Sequence, residues 1–184
     1  MCSSDLIRSD RRLLATLFVK GGLGLLGANW VILPVLGERM FPLHLAGLSA
    51  QKAGTLGVSA LFGARGIGAL IGAAAASGYG GVSETRSRRV IVVGFAMAAA
   101  GYFGLGLAWS LSTAALALLI AHTGASACWT SSTLLLQQFA TDRFRGRVFS
   151  AEAAGMTTGL ALSSFTAGKF IDRSEEHTSE LQSH

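Results

Sequence analysis

A chain of 184 residues that is 51% hydrophobic, only 14% charged and carries 24 glycines against two prolines is poorly suited to a soluble fold. Soluble domains of this size carry about 25% charged residues. Its net charge of +5 sits in short clusters between apolar runs rather than on one continuous face, which excludes a nucleic-acid-binding surface.

The two ends differ in character from the rest. MCSSDL (Met1 to Leu6) and RSEEHTSELQSH (Arg173 to His184) resemble the two strands of a sequencing adapter read as codons. They are set apart from the fold as artefacts, as tags are. The natural segment is then Ile7 to Asp172, expected to be cut at both ends. Removing the ends raises the formal charge from +5 to +8, because they carry Arg173 against Asp5, Glu175, Glu176 and Glu180. Cys128 is left as a single cysteine in an apolar run, so neither an intrachain disulfide nor a cysteine metal pattern is expected.

In chain order, a basic lead-in (Ile7 to Arg12) precedes the first span, Leu13 to Leu36, which contains Lys20, Asn29, Trp30 and Pro34. The proline predicts a bend. Gly37 to Lys52 reads as a loop. The second span, Ala53 to Ser77, is rich in Gly and Ala and holds Arg65 near its middle. A basic turn, Gly78 to Arg89, leads into the third span, Val90 to Leu107. After a very short turn at Ala108 to Ser110 comes the fourth, Leu111 to Leu136, which has no Lys, Arg, Asp or Glu. The stretch Gln137 to Val148, QQFATDRFRGRV, is polar and Arg-dense, with Gly146 expected to let the backbone turn. The fifth span is Val148 to Phe170, with Glu152 near its start and Lys169 near its end. Each run approaches the roughly 20 apolar residues that a helix needs to cross a bilayer. The expected fold is all-α: an antiparallel bundle of about five transmembrane helices with irregular ends.

If the five helices alternate, nine arginines fall on one side and only Arg39, Lys52 and Lys169 on the other. That bias places the lead-in and both Arg-rich loops in the cytoplasm of a multi-pass plasma (inner) membrane protein, with the lipid bilayer as its first partner.

Several patterns carry less than they suggest. Gly22, Gly24 and Gly27 form a GxGxxG, but within an apolar run and without a preceding strand, so helix packing is the better reading than a dinucleotide site. Gly68-xxx-Gly72 and Gly155-xxx-Gly159 are helix-contact candidates. His122 and Cys128 lie six residues apart on different faces, and no paired carboxylates, metal cluster or nucleophile–base pair appears, so neither an enzyme nor a bound metal or cofactor is expected. The intramembrane charges say more. An arginine at the depth of Arg65 costs roughly 2.5–3.5 kcal/mol on insertion scales, and such residues face a bundle interior or a watery cavity. Lys20, nearer a helix end, is expected to snorkel. Glu152 is expected to cap its helix or pair with a loop arginine.

Two loops carry a resemblance. Gly80, Glu84, Arg88 and Arg89 fit the register G-x-x-x-D-R-x-G-R-R, with Glu for Asp, while Thr85 and Ser87 depart from it. Asp142, Arg145, Gly146, Arg147 and Val148 are similar to a D-x-x-R-G-R-V turn, with Arg143 inside it, and GARGIGALIG (Gly63 to Gly72) fits the same pattern of helices. Together they resemble the C-terminal half of a major facilitator superfamily transporter, helices seven to eleven, in the branch of enterobactin-exporter-like and macrolide-efflux-like members. The resemblance implies an incomplete six-helix half that works by alternating access on a small-molecule substrate, as an efflux carrier. It implies as partners an N-terminal half and a last helix missing from the chain, without which the fragment would be inactive. It further implies that Asn29, Trp30, His122 and Trp129 border the central cavity along with Arg65, and that Glu84 and Asp142 latch the cytoplasmic side among the loop arginines. The competing reading is a small membrane scaffold or accessory subunit without a transport cycle.

Overall fold

In the computed structural model every apolar run is helical, and the structure describes residues 10–81 and 83–182, with side chains as far as Arg173. Helix α1 (Arg11–Gly24) starts at Asp10, whose carboxylate accepts hydrogen bonds from the Arg12 and Leu13 amides at 2.9 and 3.4 Å. This satisfies two of the orphan donors at a helix start. The rod continues through a 3-10 turn (Leu25–Ala28), α2 (Asn29–Val35) and a π-helical turn (Leu36–Met40). Pro34 explains the second irregularity, since its nitrogen cannot donate to the Trp30 carbonyl and the winding widens just beyond it. The first, at Leu25–Ala28, was not foreseen. The connecting loop is shorter than expected, because the π turn takes its first residues and the next helix starts at Ala50.

Helices α3 (Ala50–Tyr79), α4 (Glu84–Gly106), α5 (Leu111–Phe139) and α6 (Arg145–Gln182) follow. The turn before α5 is closed by a capping box. Ser110 Oγ accepts from the Thr113 amide at 3.3 Å, and Thr113 Oγ1 accepts from the Ser110 amide at 3.1 Å.

Three expectations are corrected. Gly146 does not make the Arg-rich turn. The reversal is at Thr141–Phe144, closed by the Phe144 amide on the Thr141 carbonyl at 2.9 Å, and Gly146 already lies in α6. The C-terminal end is not irregular. No Gly or Pro follows Gly168, and the helix-forming Glu, Leu and Gln residues carry α6 on to Gln182. The other expected artefact, Met1 to Leu6, lies outside the described residues. Finally, four helical segments rather than five are long and apolar enough to cross a membrane among the described residues: Arg11–Met40, Ala50–Tyr79, Glu84–Gly106 and Leu111–Phe139. α6 falls short because Glu152 and its Ser and Thr residues dilute its hydropathy. Two of those hydroxyls face the bundle, where Ser163 donates to the Gly24 carbonyl at 3.1 Å and Ser164 to the Gly27 carbonyl at 2.8 Å.

α5 is the central element. It packs against α1, α3 and α4, while α6 docks on α1 and the 3-10 turn. The seams close through glycine. A Cβ on Gly68 or Gly72 would land on the Leu119 or Thr123 carbonyl of α5, and one on Gly94 would come within 2.6 Å of the Gly124 carbonyl. Gly24 and Gly27 meet α6 in the same way, whereas Gly22 and Gly155 face open space. The formal GxGxxG is therefore in part a packing seam.

Three apolar clusters stack along the bundle. Leu13, Leu136 and Val148 gather at one end, Leu23, Ile91 and Cys128 in the middle, and Leu33, Leu61 and Leu118 at the other. The outside is also apolar: Phe18, Leu70, Val92, Phe103, Leu116 and Phe165 are 59–74% exposed. An apolar belt of this extent exceeds what a soluble monomer presents. It is compatible with a multi-pass membrane protein.

Glycine contact of this kind predicts a selective sensitivity to one methyl group. G72A should destabilise the bundle by about 1–3 kcal/mol, because the added carbon meets backbone rather than a side chain that can move. G63A and G66A, which face open space on the same helix, should be neutral or slightly stabilising. Thermal unfolding of the three variants in one detergent checks this.

Candidate functional site

Three helices contribute a buried polar chain. Asn29 on α2 is 4% exposed and donates from Nδ2 to the Tyr102 hydroxyl of α4 at 2.7 Å. That hydroxyl lies 3.0 Å from Nε2 of His122 on α5, itself 6% exposed. Inside an apolar bundle an unpaired amide or imidazole is expensive, so these contacts fix how the three helices face one another.

Arg65 projects from α3 with its guanidinium carbon 4.7 Å from the Trp30 ring centre and 5.5 Å from that of Phe62. Trp30 and Phe62 themselves meet at 5.8 Å. Among the described residues no carboxylate pairs with Arg65; its partners are aromatic faces, which attract a cation through the ring quadrupole. Trp30, Arg65, His122 and Trp129 all border one cavity of about 310 Å³, whose wall also includes Ser126, Met156 and aliphatic side chains of the first rod. Four of the five side chains proposed for a cavity are thus brought together. Asn29 does not line it and reaches it through Tyr102 and His122.

Lys20 and Glu152 depart from expectation. Lys20 does not snorkel, and Glu152 neither caps its helix nor meets a loop arginine. Lys20 Nζ lies 2.8 Å from Glu152 Oε1, donates to Thr133 Oγ1 at 2.6 Å and stands 3.7 Å from the centre of the Trp129 ring. Lys20 is 1% and Glu152 9% exposed. The physical reason is distance: inside a helix stack a partner of opposite sign on α6 is nearer than either end of α1. This pair, with Thr133 and Tyr102, was missed by sequence reasoning. The available signal was one acid and one base of opposite sign in two separate apolar runs.

The loop residues form a separate system at the end where the lead-in meets α4. Glu84 reaches Arg88 at 2.7 Å and Arg12 at 3.4 Å, joining the lead-in to the second basic turn. Asp142 pairs with Arg145 at 2.7 Å, within its own turn, and is largely exposed. Arg143 lies against Phe144, and Arg147 is exposed on the first turn of α6. Gly80 ends α3, where a Cβ would meet the Ala76 carbonyl at 2.7 Å, and Arg89 borders a second, apolar cavity between α3, α4 and α5. Of the two acids expected to latch this side, Glu84 spans two segments and Asp142 does not.

Removing one member of the buried pair strands a charge in an apolar interior. K20M and E152Q should each lower unfolding stability by about 3–5 kcal/mol, and K20M/E152M should recover much of that loss. A double-mutant cycle read by chemical unfolding in micelles measures the coupling. Comparison of the chain with family models, curated proteins and solved structures gives no match, so the cavity is interpreted from its own residues.

Proposed function

We propose that the chain is part of a secondary membrane carrier, an efflux transporter of the major facilitator type, working by alternating access with a partner half that supplies the other wall of the cavity. The observation that carries this reading is the convergence of Arg65, His122, Trp30 and Trp129 on one cavity in mid-bundle. A cation held there on aromatic faces, with no counter-charge among the described residues, suits a binding surface better than a structural strut. The carrier would lie in the plasma membrane with its basic loops cytoplasmic, following the arginine bias. No catalytic chemistry is assigned to it. Glu84, the acid that joins two basic segments, is the better latch on the cytoplasmic side.

A membrane scaffold without a transport cycle is the second reading, and the glycine seams favour it, since backbone contact on both sides of α5 suits a static bundle.

Sequencing the parent locus across both junctions separates the two readings. The carrier requires continuous coding sequence with further apolar spans on either side; a frame that closes at this chain's own ends overturns it. In the longer protein, R65A should reduce flux of an amphipathic dye into everted vesicles at least tenfold at unchanged membrane abundance. E84Q should alter cysteine-labelling access at the basic turns more than D142N does, while changing stability by less than about 1 kcal/mol, since exposed ion pairs contribute little.

A further inference from the structure

The carrier reading leaves open what the cavity accepts, and its charge balance narrows the answer. Four ionisable side chains surround it: Arg65 and His122 on the wall, and Lys20 and Glu152 behind the Trp129 ring. The last two neutralise each other at 2.8 Å. His122 is engaged by the Tyr102 hydroxyl. Ser126, the remaining polar wall residue, donates to the Ala69 carbonyl at 2.7 Å and so has its proton committed. Arg65 is therefore the one uncompensated charge and the one wall group with several free donors among the described residues. Around it the wall is aromatic and aliphatic, with Trp30 and Trp129 55% and 41% exposed.

We propose that this cavity binds a small organic monoanion with an aromatic ring, its carboxylate or sulfonate on the Arg65 guanidinium and its ring against Trp30 and Trp129. The proposal rests on the carrier reading for its purpose but not for its test. A guanidinium presents a planar fork that matches a carboxylate in two parallel hydrogen bonds. The guanidinium carbon lies 4.7 Å from the centre of the Trp30 ring, and no hydrogen bond or carboxylate among the described residues takes up its donors. In an apolar setting this attraction is screened far less than in water. A cationic ligand would meet repulsion from Arg65 and find no acid to answer it, because Glu152 is already spent on Lys20. A neutral one would leave the guanidinium unpaired. The volume of about 310 Å³ suits a one- or two-ring molecule.

The test uses the whole chain in lipid nanodiscs with W109F, which removes the 82% exposed tryptophan at the far turn and leaves Trp30 and Trp129 as reporters. Quenching is titrated with 4-nitrobenzoate, 4-nitrobenzyl alcohol and 4-nitrobenzylammonium, against empty nanodiscs. Saturable quenching by the anion, at least tenfold tighter than by the alcohol or the cation, is expected. R65Q should weaken the anion at least tenfold and bring it level with the alcohol, and R65K should fall between. Equal affinities for the three compounds, no saturable binding, or an anion affinity untouched by R65Q overturns the proposal. The three-ligand comparison needs no substitution at Arg65, so it stands even if R65Q misfolds. Anion binding together with a locus that closes at this chain's own ends would sink the carrier reading and leave the site intact. Flux of cations by the longer protein, without anion binding here, would do the reverse.

Discussion

Backbone-to-backbone contact at α5 is the constraint on which the rest of the structure depends. In a bilayer, with which the apolar exterior is compatible, burying leucine against leucine gains little over leucine against lipid, and association comes from close packing and polar contacts. Glycines on α3 and α4 bring those helices onto the carbonyls of α5, and Gly24 and Gly27 do the same for α6 on the first rod. At such short separations small hydroxyls and a thiol reach carbonyls across the seam, as Ser126 does to Ala69 and Cys128 to Ile91 at 3.2 Å. Helix positions are thereby set tightly enough for side chains from the first rod, α3, α5 and α6 to meet around one cavity.

The polar interior divides into two parts with different chemistry. Lys20, Glu152 and Thr133 form a closed set in which every charge has its opposite. Asn29, Tyr102 and His122 form a neutral chain. Arg65 belongs to neither and stands beside the aromatic rings of Trp30 and Phe62. The bundle thus compensates the charges that hold it together and leaves one uncompensated where there is room for something else.

Much of this organisation was legible in the residues. The five apolar runs marked the helical rods to within a few residues at most boundaries, because helix-forming Arg, Glu and Lys simply extend them, but the first run gave no sign of the break between α1 and α2. The glycine spacing at 68 and 72 marked a real seam. What stayed hidden depends on distance in the chain. Nothing local to Lys20 points to Glu152, and a lysine near a helix end is ordinarily read as reaching for water. Tyr102 looked like one more aromatic in an apolar run until α2 and α5 placed partners on either side of its hydroxyl. The 3-10 turn at Leu25–Ala28 has no proline to announce it; it lies where α6 crosses the rod.

The Lys20–Glu152 contact also bears on how the protein is made. Its two members belong to α1 and α6, with roughly 130 residues between them, so at ribosomal rates the lysine emerges on the order of ten seconds before its partner. During that interval the first helix carries a lone ammonium among apolar side chains. That charge stays uncompensated until α6 arrives to neutralise it. Docking is therefore coupled across the chain: α1 reaches its settled place in the bundle only when α6 has been synthesised, and a chain that stops before Glu152 keeps the Lys20 charge unmatched.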